Sequence, residues 1–348
     1  RGRTREPVDN SDRKKCADNY SAHIAAATAG DKRYKIRGKR VGVGEMVKDA
    51  IVLNNKLKSL EWEIGARDTA HKSRLSEAIK KIHEERKVIN CQWRDNSSQN
   101  GELEHAVACV DTSGSMECDN GVPLYNAIGL GIRIAEKSTL GRRILTFSNT
   151  PRWVNLENKG SADNDFDFCD AVNKVKDVHD WGMTTNFHAM LDMILDACKQ
   201  SSLPQEQVSK MMLIVLSDMQ INSASTEFNN ETMIEMMERK YNQAGYTLPH
   251  IVFWNLRTTN GFPVLSSKKN TTMMSGFSPV LLNEFMNKGL QALQEFTPWY
   301  QLVHILKNER YNCMEVKIRR ILEDAHQNSL NDIAGPNVEA DPNTNTNT

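Results

Sequence analysis

Apolar residues change their spacing along this chain, and the change divides it. Ala50, Leu53, Leu57, Leu60 and Ile64 recur at alternating three- and four-residue steps, which lays one stripe along a helix, and Gly65 is a natural stop. Leu75, Ile79, Ile82 and Ile89 carry the same logic into a second, highly charged helix. The polar, turn-rich stretch 96–101 then breaks the pattern. From His105 onward the apolar positions gather in short runs separated by helical stretches of moderate length, the signature of βαβ units around a parallel sheet. Strands are predicted over 105–111, 143–148, 152–156, 211–218, 250–256 and 272–275, and helices over 123–137, 166–178, 187–199, 231–244 and 279–296. A final helical pair, 299–307 and 311–325, is expected to return beside the amino-terminal helices. The expected fold class is therefore α/β: a doubly wound, mainly parallel sheet with an α-helical amino-terminal segment and carboxy-terminal helices.

These patterns divide the chain into a basic, partly flexible arm (1–42), a helical segment (43–100), an α/β domain (101–297), carboxy-terminal helices (298–326) and a polar tail (327–348). The tail ends Asn-Thr-Asn-Thr-Asn-Thr, a composition that cannot build a core and is expected to be disordered. With 348 residues, 39% of them hydrophobic, the rest can bury a sizeable core in one large or two modest domains. The densest apolar run, Met211 to Leu216, has the length of a buried strand and falls far short of the ~20 residues that span a bilayer, so no membrane association is expected. The start at Arg1, basic and without an apolar signal segment, reads as a fragment or a processed product. The 7 cysteines are scattered, odd in number and free of any C-x-x-C pair, which points to a reducing, intracellular setting, cytoplasmic or within a virion if the source is viral. Cys109 and Cys198 lie in apolar runs and read as small hydrophobes.

Formal charge balances to +0, but Lys32, Arg33, Lys35, Arg37, Lys39 and Arg40 crowd the segment ahead of the first clear helix. Tyr34 interleaves them, and cations with an aromatic suit the phosphates and bases of RNA or DNA; a solvated arm has the same composition.

The most informative stretch is Ala106-Val-Ala-Cys-Val-Asp111-Thr-Ser113-Gly-Ser115, an apolar strand that delivers one carboxylate and two hydroxyls to a tight turn, in the pattern D-x-S-x-S. Open α/β sheets bind ligands at the carboxyl ends of their strands, so a second strand ending in an acid should converge there. The run Met211 to Ser217 does so with Asp218, and Gly182-Met-Thr184-Thr185-Asn186 offers hydroxyls from a loop just ahead of a helix. Magnesium wants about six hard oxygens and gives up its waters reluctantly. Neutral hydroxyls supply bonds without saturating its charge. With Ser113, Ser115 and Thr185 as direct ligands and Asp111 and Asp218 acting largely through water, the ion would stay electrophilic enough to accept a carboxylate from a partner. Asp111 and Ser113 could instead simply cap the turn and the helix that follows.

These residues resemble the metal-ion-dependent adhesion site of the von Willebrand factor A family: D-x-S-x-S, a threonine from a Gly-Thr-Asp/Asn-like loop, and an aspartate ending a later strand. The resemblance implies Asp111, Ser113, Ser115, Thr185 and Asp218 as the site of a Mg2+ ion, with Mn2+ as a substitute, and a protein partner bearing an acidic residue. Thr184 competes with Thr185, because the loop reads G-M-T-T-N where the family usually has two glycines. The stretch Gly245 to Leu256, with Ser275-Gly-Phe-Ser-Pro279, is similar to a narrower family of proteins from plants, fungi and giant viruses, itself related to Ro-type RNA-binding proteins. The helical part here is too short for the full ring of helical repeats of the Ro type.

Catalytic machinery is not expected. The D-x-D pair of dehalogenase-type phosphatases would need an acid where Ser113 stands, and no phosphate loop, H-E-x-x-H helix or G-x-S-x-G elbow occurs. Gly42-Val-Gly44 lacks a third glycine and reads as a linker, and His188 with Asp192 reads as a helical ion pair. Trp153, Trp181 and Trp254 read as packing residues, and Asn255 either supports the ion from behind or caps backbone. The expected function is ion-dependent binding of a protein partner, with RNA or DNA binding by the basic segment as the alternative.

Overall fold

The computed structural model describes residues 11–66, 69–157, 166–178, 186–220, 233–257, 270–277, 283, 285–287, 302–303, 306–307 and 311–334. They fall into two compact units, residues 1–294 and 295–348.

In the first unit, β1 (Ala106–Asp111), β2 (Arg143–Phe147), β3 (Arg152–Asn155), β4 (Met212–Ser217), β5 (His250–Asn255) and β6 (Thr271–Ser275) form one sheet in the order β3-β2-β1-β4-β5-β6. All neighbours are parallel except β3, an antiparallel edge strand on β2. This is the doubly wound α/β class that the apolar runs predict. The chain leaves β1 in both directions across the sheet, so the crevice of the topological switch lies between the carboxyl ends of β1 and β4. Every residue of β1 and β4 is buried, as a parallel strand covered on both faces requires.

One face is covered by α6 (Phe187–Gln200), α7 (Gln205–Ser209) and α8 (Met233–Gln243). Phe187 lies between Phe147 and Phe253, and the hydroxyl of buried Tyr241 donates to the carbonyl of Leu191 at 2.9 Å, so α8 and α6 are joined without an unpaired polar group.

On the other face lie α4 (Val122–Lys137) and α5 (Phe168–Asp177), and over them a further layer of α2 (Val43–Ala66) and α3 (Thr69–Ser97). Helix α4 is therefore sandwiched, and its sequence permits it. Gly131 faces β1, where a Cβ would come 2.5 Å from Val110 Cγ2, and Gly129 faces α2, where a Cβ would come 3.1 Å from Val43 Cβ. Two residues apart on a helix is about 200° of rotation, so the two glycines open opposite sides. Leu124, Ile128, Leu130, Ile132 and Ile134 fill what remains, each contributing about 1.5–3 kcal/mol by leaving water.

The two helical layers are also joined by a column of rings and charge. Trp93 of α3 stacks on Phe168 of α5 with centroids 3.9 Å apart, and Arg133 of α4 sets its guanidinium 4.0 Å from the indole centroid, which leaves it only the opposite face. The indole N–H donates to Glu136 at 3.0 Å, and Arg133 Nη1 donates to Asn100 at 2.7 Å. Burial lowers the Arg133 pKa to about 10, and its Nε and Nη2 make no hydrogen bond. Arg86 of α3 pairs with Asp167 and Asp170 at the start of α5, and Asn54 of α2 donates to the Cys169 carbonyl at 2.8 Å.

Helix α1 (Ser11–Thr28) lies within the stretch read as an arm and packs on α3. Apolar spacing did not reveal it, since only Ile24 and Ala27 are buried. No described cysteine is in a disulfide; Cys91 on α3, Cys109 on β1, Cys169 on α5 and Cys198 on α6 are buried, whereas Cys16 and Cys118 are exposed. In the second unit, α9 (Asn312–Ala334) carries an exposed Glu315–Arg319 pair at 2.9 Å and reaches into the stretch read as tail. The helix predicted over 279–296 and the first of the final pair, 299–307, lie largely outside the described residues. No helix among the described residues is long and apolar enough to cross a membrane.

The sandwich sets a test. Gly131→Ala gains about 1 kcal/mol of helix propensity but drives a methyl into Val110, a β-branched side chain with no free rotamer to yield. Overpacking of this kind costs about 1–3 kcal/mol, so the variant should unfold at lower urea than wild type. A midpoint equal to or above wild type would show that α4 and β1 are not in tight contact.

Candidate metal centre

β1 carries Asp111 to the edge of the switch crevice, and the Thr112 amide extends the ladder by donating to the Phe147 carbonyl at 3.0 Å. The chain then turns sharply. Ser113 N donates to Asp111 Oδ1 at 2.9 Å, a side-chain-closed turn, and a 3-10 turn over Gly114–Glu117 follows with Met116 fully buried as its anchor. The turn brings Ser113 Oγ and Ser115 Oγ to 3.1 Å from each other, Ser113 buried and Ser115 half-buried.

β4 supplies the second acid. Asp218 is fully buried at its end, with Oδ1 accepting from Gln220 N at 3.2 Å, and Met219 between them takes a left-handed φ of 62°. Ser217 sits one step beyond the Val110–Leu216 register pair, which sets it beside Asp111, and its hydroxyl donates to Asp111 Oδ2 at 2.6 Å. Asn255, buried at the end of β5 beside Ser217, accepts from Arg257 N at 3.0 Å and so turns the chain that carries Arg257. Arg257 Nε donates to Asp119 at 3.2 Å, and its Nη1 lies 3.5 Å from Asp218 Oδ2.

Asp111, Ser113, Ser115 and Asp218 are thus together, with Asn255 on the adjoining strand. Thr184 and Thr185 lie outside the described residues. Their neighbour Asn186 donates from its amide to the Ser148 carbonyl at 2.8 Å and caps α6 by accepting from Ala189 N at 3.0 Å, which fixes the end of that loop just past β2. Ser217, Asp119 and Arg257 were not picked out from sequence. For Ser217 a signal existed, because a hydroxyl one residue before a strand-terminal acid falls level with the acid of the neighbouring parallel strand.

Burial pushes the Asp111 carboxyl up to about 6, and the charge of Asp218 adds to the rise; donors from Ser217 and Ser113 oppose it. Two carboxylates withdrawn from water beside two hydroxyls form a hard-oxygen donor set of net negative charge, which fits a small divalent cation. Among the described residues no three His, Cys, Asp or Glu side chains gather in one place, so an ion here would depend on hydroxyls as well as on the two acids.

The end of the basic segment is anchored on α3. Asp95 Oδ2 accepts from the amides of Gly38 (2.8 Å) and Lys39 (3.2 Å), and Asn96 Nδ2 donates to the carbonyls of Gly38 (3.0 Å) and Val41 (3.1 Å). Gly38 lies so close to α3 that a Cβ would meet the Gln92 carbonyl oxygen at 1.9 Å. Lys32, Arg33, Lys35, Arg37, Lys39 and Arg40 all project into solvent, and Arg33 is engaged by Asp31 at 2.8 Å.

Asp111 gives this centre a pH signature. Because its folded-state pKa is raised above the ordinary carboxyl value, its contribution to stability is full below about pH 4 and is lost as pH rises through about 6. In chelator, Asp111→Asn should gain on wild type across that window, by about 3 kcal/mol, and hold the difference at higher pH. Urea midpoints measured for both proteins at intervals of pH check this; a constant difference would mean that Asp111 titrates as an ordinary carboxyl.

Comparison with known proteins adds relatives rather than a role. The chain is 32% identical over 260 residues to Uncharacterized protein L728 of Acanthamoeba polyphaga mimivirus; the match covers 70% of this chain and only 42% of that protein's length. Among solved structures, the Deinococcus radiodurans RO (RSR) protein is similar at 15% identity and a TM-score of 0.35, over 57% of this chain and 36% of its own. Proximal thread matrix protein 1 from the mussel byssus, solved with a zinc-occupied MIDAS motif, is similar at 16% identity and a TM-score of 0.35, over 54% and 47%. A family model described as Domain of unknown function (DUF7788) matches residues 105–325, more than half of the chain, and the chain belongs to that family.

Proposed function

We propose that this protein is a non-catalytic binding module of the von Willebrand A type that recruits a protein partner through a divalent cation. The observation that carries the reading is the pairing of fully buried Asp111 and Asp218 at the switch crevice with the Ser113 and Ser115 hydroxyls 3.1 Å apart beside them. Magnesium is the natural ion for oxygen donors of this size, and manganese has the same preference. Ser113, Ser115 and Thr185, or Thr184 in its place, would ligate it, and Asp111 and Asp218 would hold it largely through water. Bound there, the ion supplies a Lewis-acidic position that accepts a carboxylate of the partner.

The chain's own residues prepare that event. Ser217 and Ser113 N hold the two Asp111 oxygens in place, so the carboxylate needs no reorientation. Met116 and the Thr112–Phe147 hydrogen bond fix the turn that presents the hydroxyls. Ser217 Oγ, the hydroxyl paired with Asp111, is fully buried and so placed to hold that carboxylate rather than to attack a substrate, which favours binding over catalysis.

A ligand that binds only the folded state adds about 2.7 kcal/mol at a hundredfold excess over Kd. Millimolar magnesium or manganese should therefore raise the melting temperature of wild type, while Asp111→Ala should be indifferent to either ion. The double variant Ser113→Ala/Ser115→Ala should fold in chelator like wild type yet lose most of the ion's effect. Equal melting temperatures for wild type with ion and with chelator would remove the metal from the reading.

A further inference from the structure

The crevice does not end at its carboxylates. Beyond Asp119 and Arg257 opens a cavity of about 430 Å³ whose floor is apolar, built by Val122, Leu256 and Phe277. Phe277, 45% exposed, also walls a narrow neck of about 20 Å³ that reaches Lys39 and Val41. Lys39 and Val41 in turn border a third hollow of about 510 Å³ shared with Lys35, Arg37 and Arg40. Phe277 lines the first two hollows and Lys39 and Val41 the last two, so the three adjoin one another as a segmented trough from the rim of the candidate metal centre to the basic loop.

Both ends of this trough are built. The loop backbone is fixed on α3 by Asp95 and Asn96. Asp95, the acid within that hollow, has one carboxylate oxygen committed to the Gly38 and Lys39 amides, and no ion pair of Lys35, Arg37, Lys39 or Arg40 occurs among the described residues. Four exposed cations thus border a hollow whose acid is Asp95, and among the described residues they make no ion pair. At the other end, Arg257 is braced by Asp119 and aimed along Asp218.

We propose that the trough is the docking site for an extended acidic segment of a partner protein. One carboxylate of the segment meets the ion beside Arg257, an apolar or aromatic side chain covers Phe277, and further acids run along Lys39, Arg40, Arg37 and Lys35. The inference rests on the ion-dependent reading above and specifies its partner. A single strand of nucleic acid fits less well. It carries a charge at every unit, whereas the trough alternates a metal rim holding exposed Asp119, an apolar stretch and then a cationic stretch. A peptide can match that alternation side chain by side chain.

Fluorescence anisotropy with the full chain tests this, using three probes: an Asp/Glu-rich peptide of about a dozen residues with one Phe after its first acids, long enough to extend about 40 Å; the first few residues of the same peptide; and an oligouridylate of similar reach. In magnesium the long peptide should bind about tenfold or more tighter than the short one, because its distal acids engage a second site on the same molecule. Chelator, or Ser113→Ala/Ser115→Ala, should weaken both peptides. Lys39→Glu/Arg40→Glu should abolish the advantage of the long peptide and leave the short one unchanged, with Lys35→Gln/Arg37→Gln acting in the same direction in case the first pair disturbs the loop. Phe277→Ser should weaken both several-fold. If neither peptide responds to magnesium, the ion-dependent reading fails and the trough with it. If both respond but the long peptide keeps its advantage in both loop variants, the ion reading stands and the trough is wrong. Oligouridylate binding that exceeds the long peptide, ignores chelator and falls with loop charge would make the loop a nucleic-acid site and overturn the proposal.

Discussion

Helix α4 is pressed against β1 through Gly131 and against α2 through Gly129, and a helix buried on both sides cannot be shifted without opening two interfaces at once. Interiors are packed about as densely as organic crystals, so such a helix passes position from one layer to the next rather than absorbing it. Its amino end begins at Gly121, the residue that closes the turns after Ser115, and its carboxyl half carries Arg133, which is locked under Trp93. Thus the turn that presents the hydroxyls and the α3 surface that holds the basic loop are both fastened to the same rod. Two regions far apart in sequence are kept in register by packing, with no direct bond required between them.

The centre itself runs against the general economy of the fold. Elsewhere β1 and β4 bury only apolar or small side chains, and at their ends the molecule buries two acids side by side. An ionised carboxylate withdrawn from water costs several kcal/mol unless donors or counter-charge replace the solvent. Ser217, Ser113 N and Gln220 N supply donors, and Arg257 supplies part of a counter-charge at 3.5 Å. The rise of Asp111 to about 6 shows that the replacement is incomplete. A fold that holds two such acids together holds them at the expense of stability.

How much of this could be read from the chain depends on the range of the interaction involved. The strands were legible because Val107, Cys109 and their counterparts in β4 and β5 form uninterrupted apolar runs, a local property. That Asp111, Ser113, Ser115 and Asp218 would fall at neighbouring strand ends was legible because a strand end fixes direction, and parallel strand ends converge. Helix α1 was not, since a helix needing only Ile24 and Ala27 for its contact leaves almost no stripe. Arg257 and Asp119 are separated by 138 positions and meet only because β5 lies two strands from β1, which no local pattern encodes. Gly38 looked like part of a flexible basic run; its need to be glycine comes from the Gln92 carbonyl of a helix that folds back over it. The adjoining hollows were invisible for the same reason, being lined by Phe277 and Lys39, far apart in the chain.

The free thiols give the layered packing an experimental handle of their own. Cys91, Cys109, Cys169 and Cys198 each sit in a different element, on α3, β1, α5 and α6, and burial raises the Cys169 thiol to about 12 and Cys109 further still. None can react with an alkylating reagent while its layer is closed, because the attacking species is the solvated thiolate. Their alkylation rates under native conditions would therefore time the opening of each layer separately: the outer helices, the inner helices and the sheet. Exposed Cys16 and Cys118 would provide the unprotected reference within the same molecule.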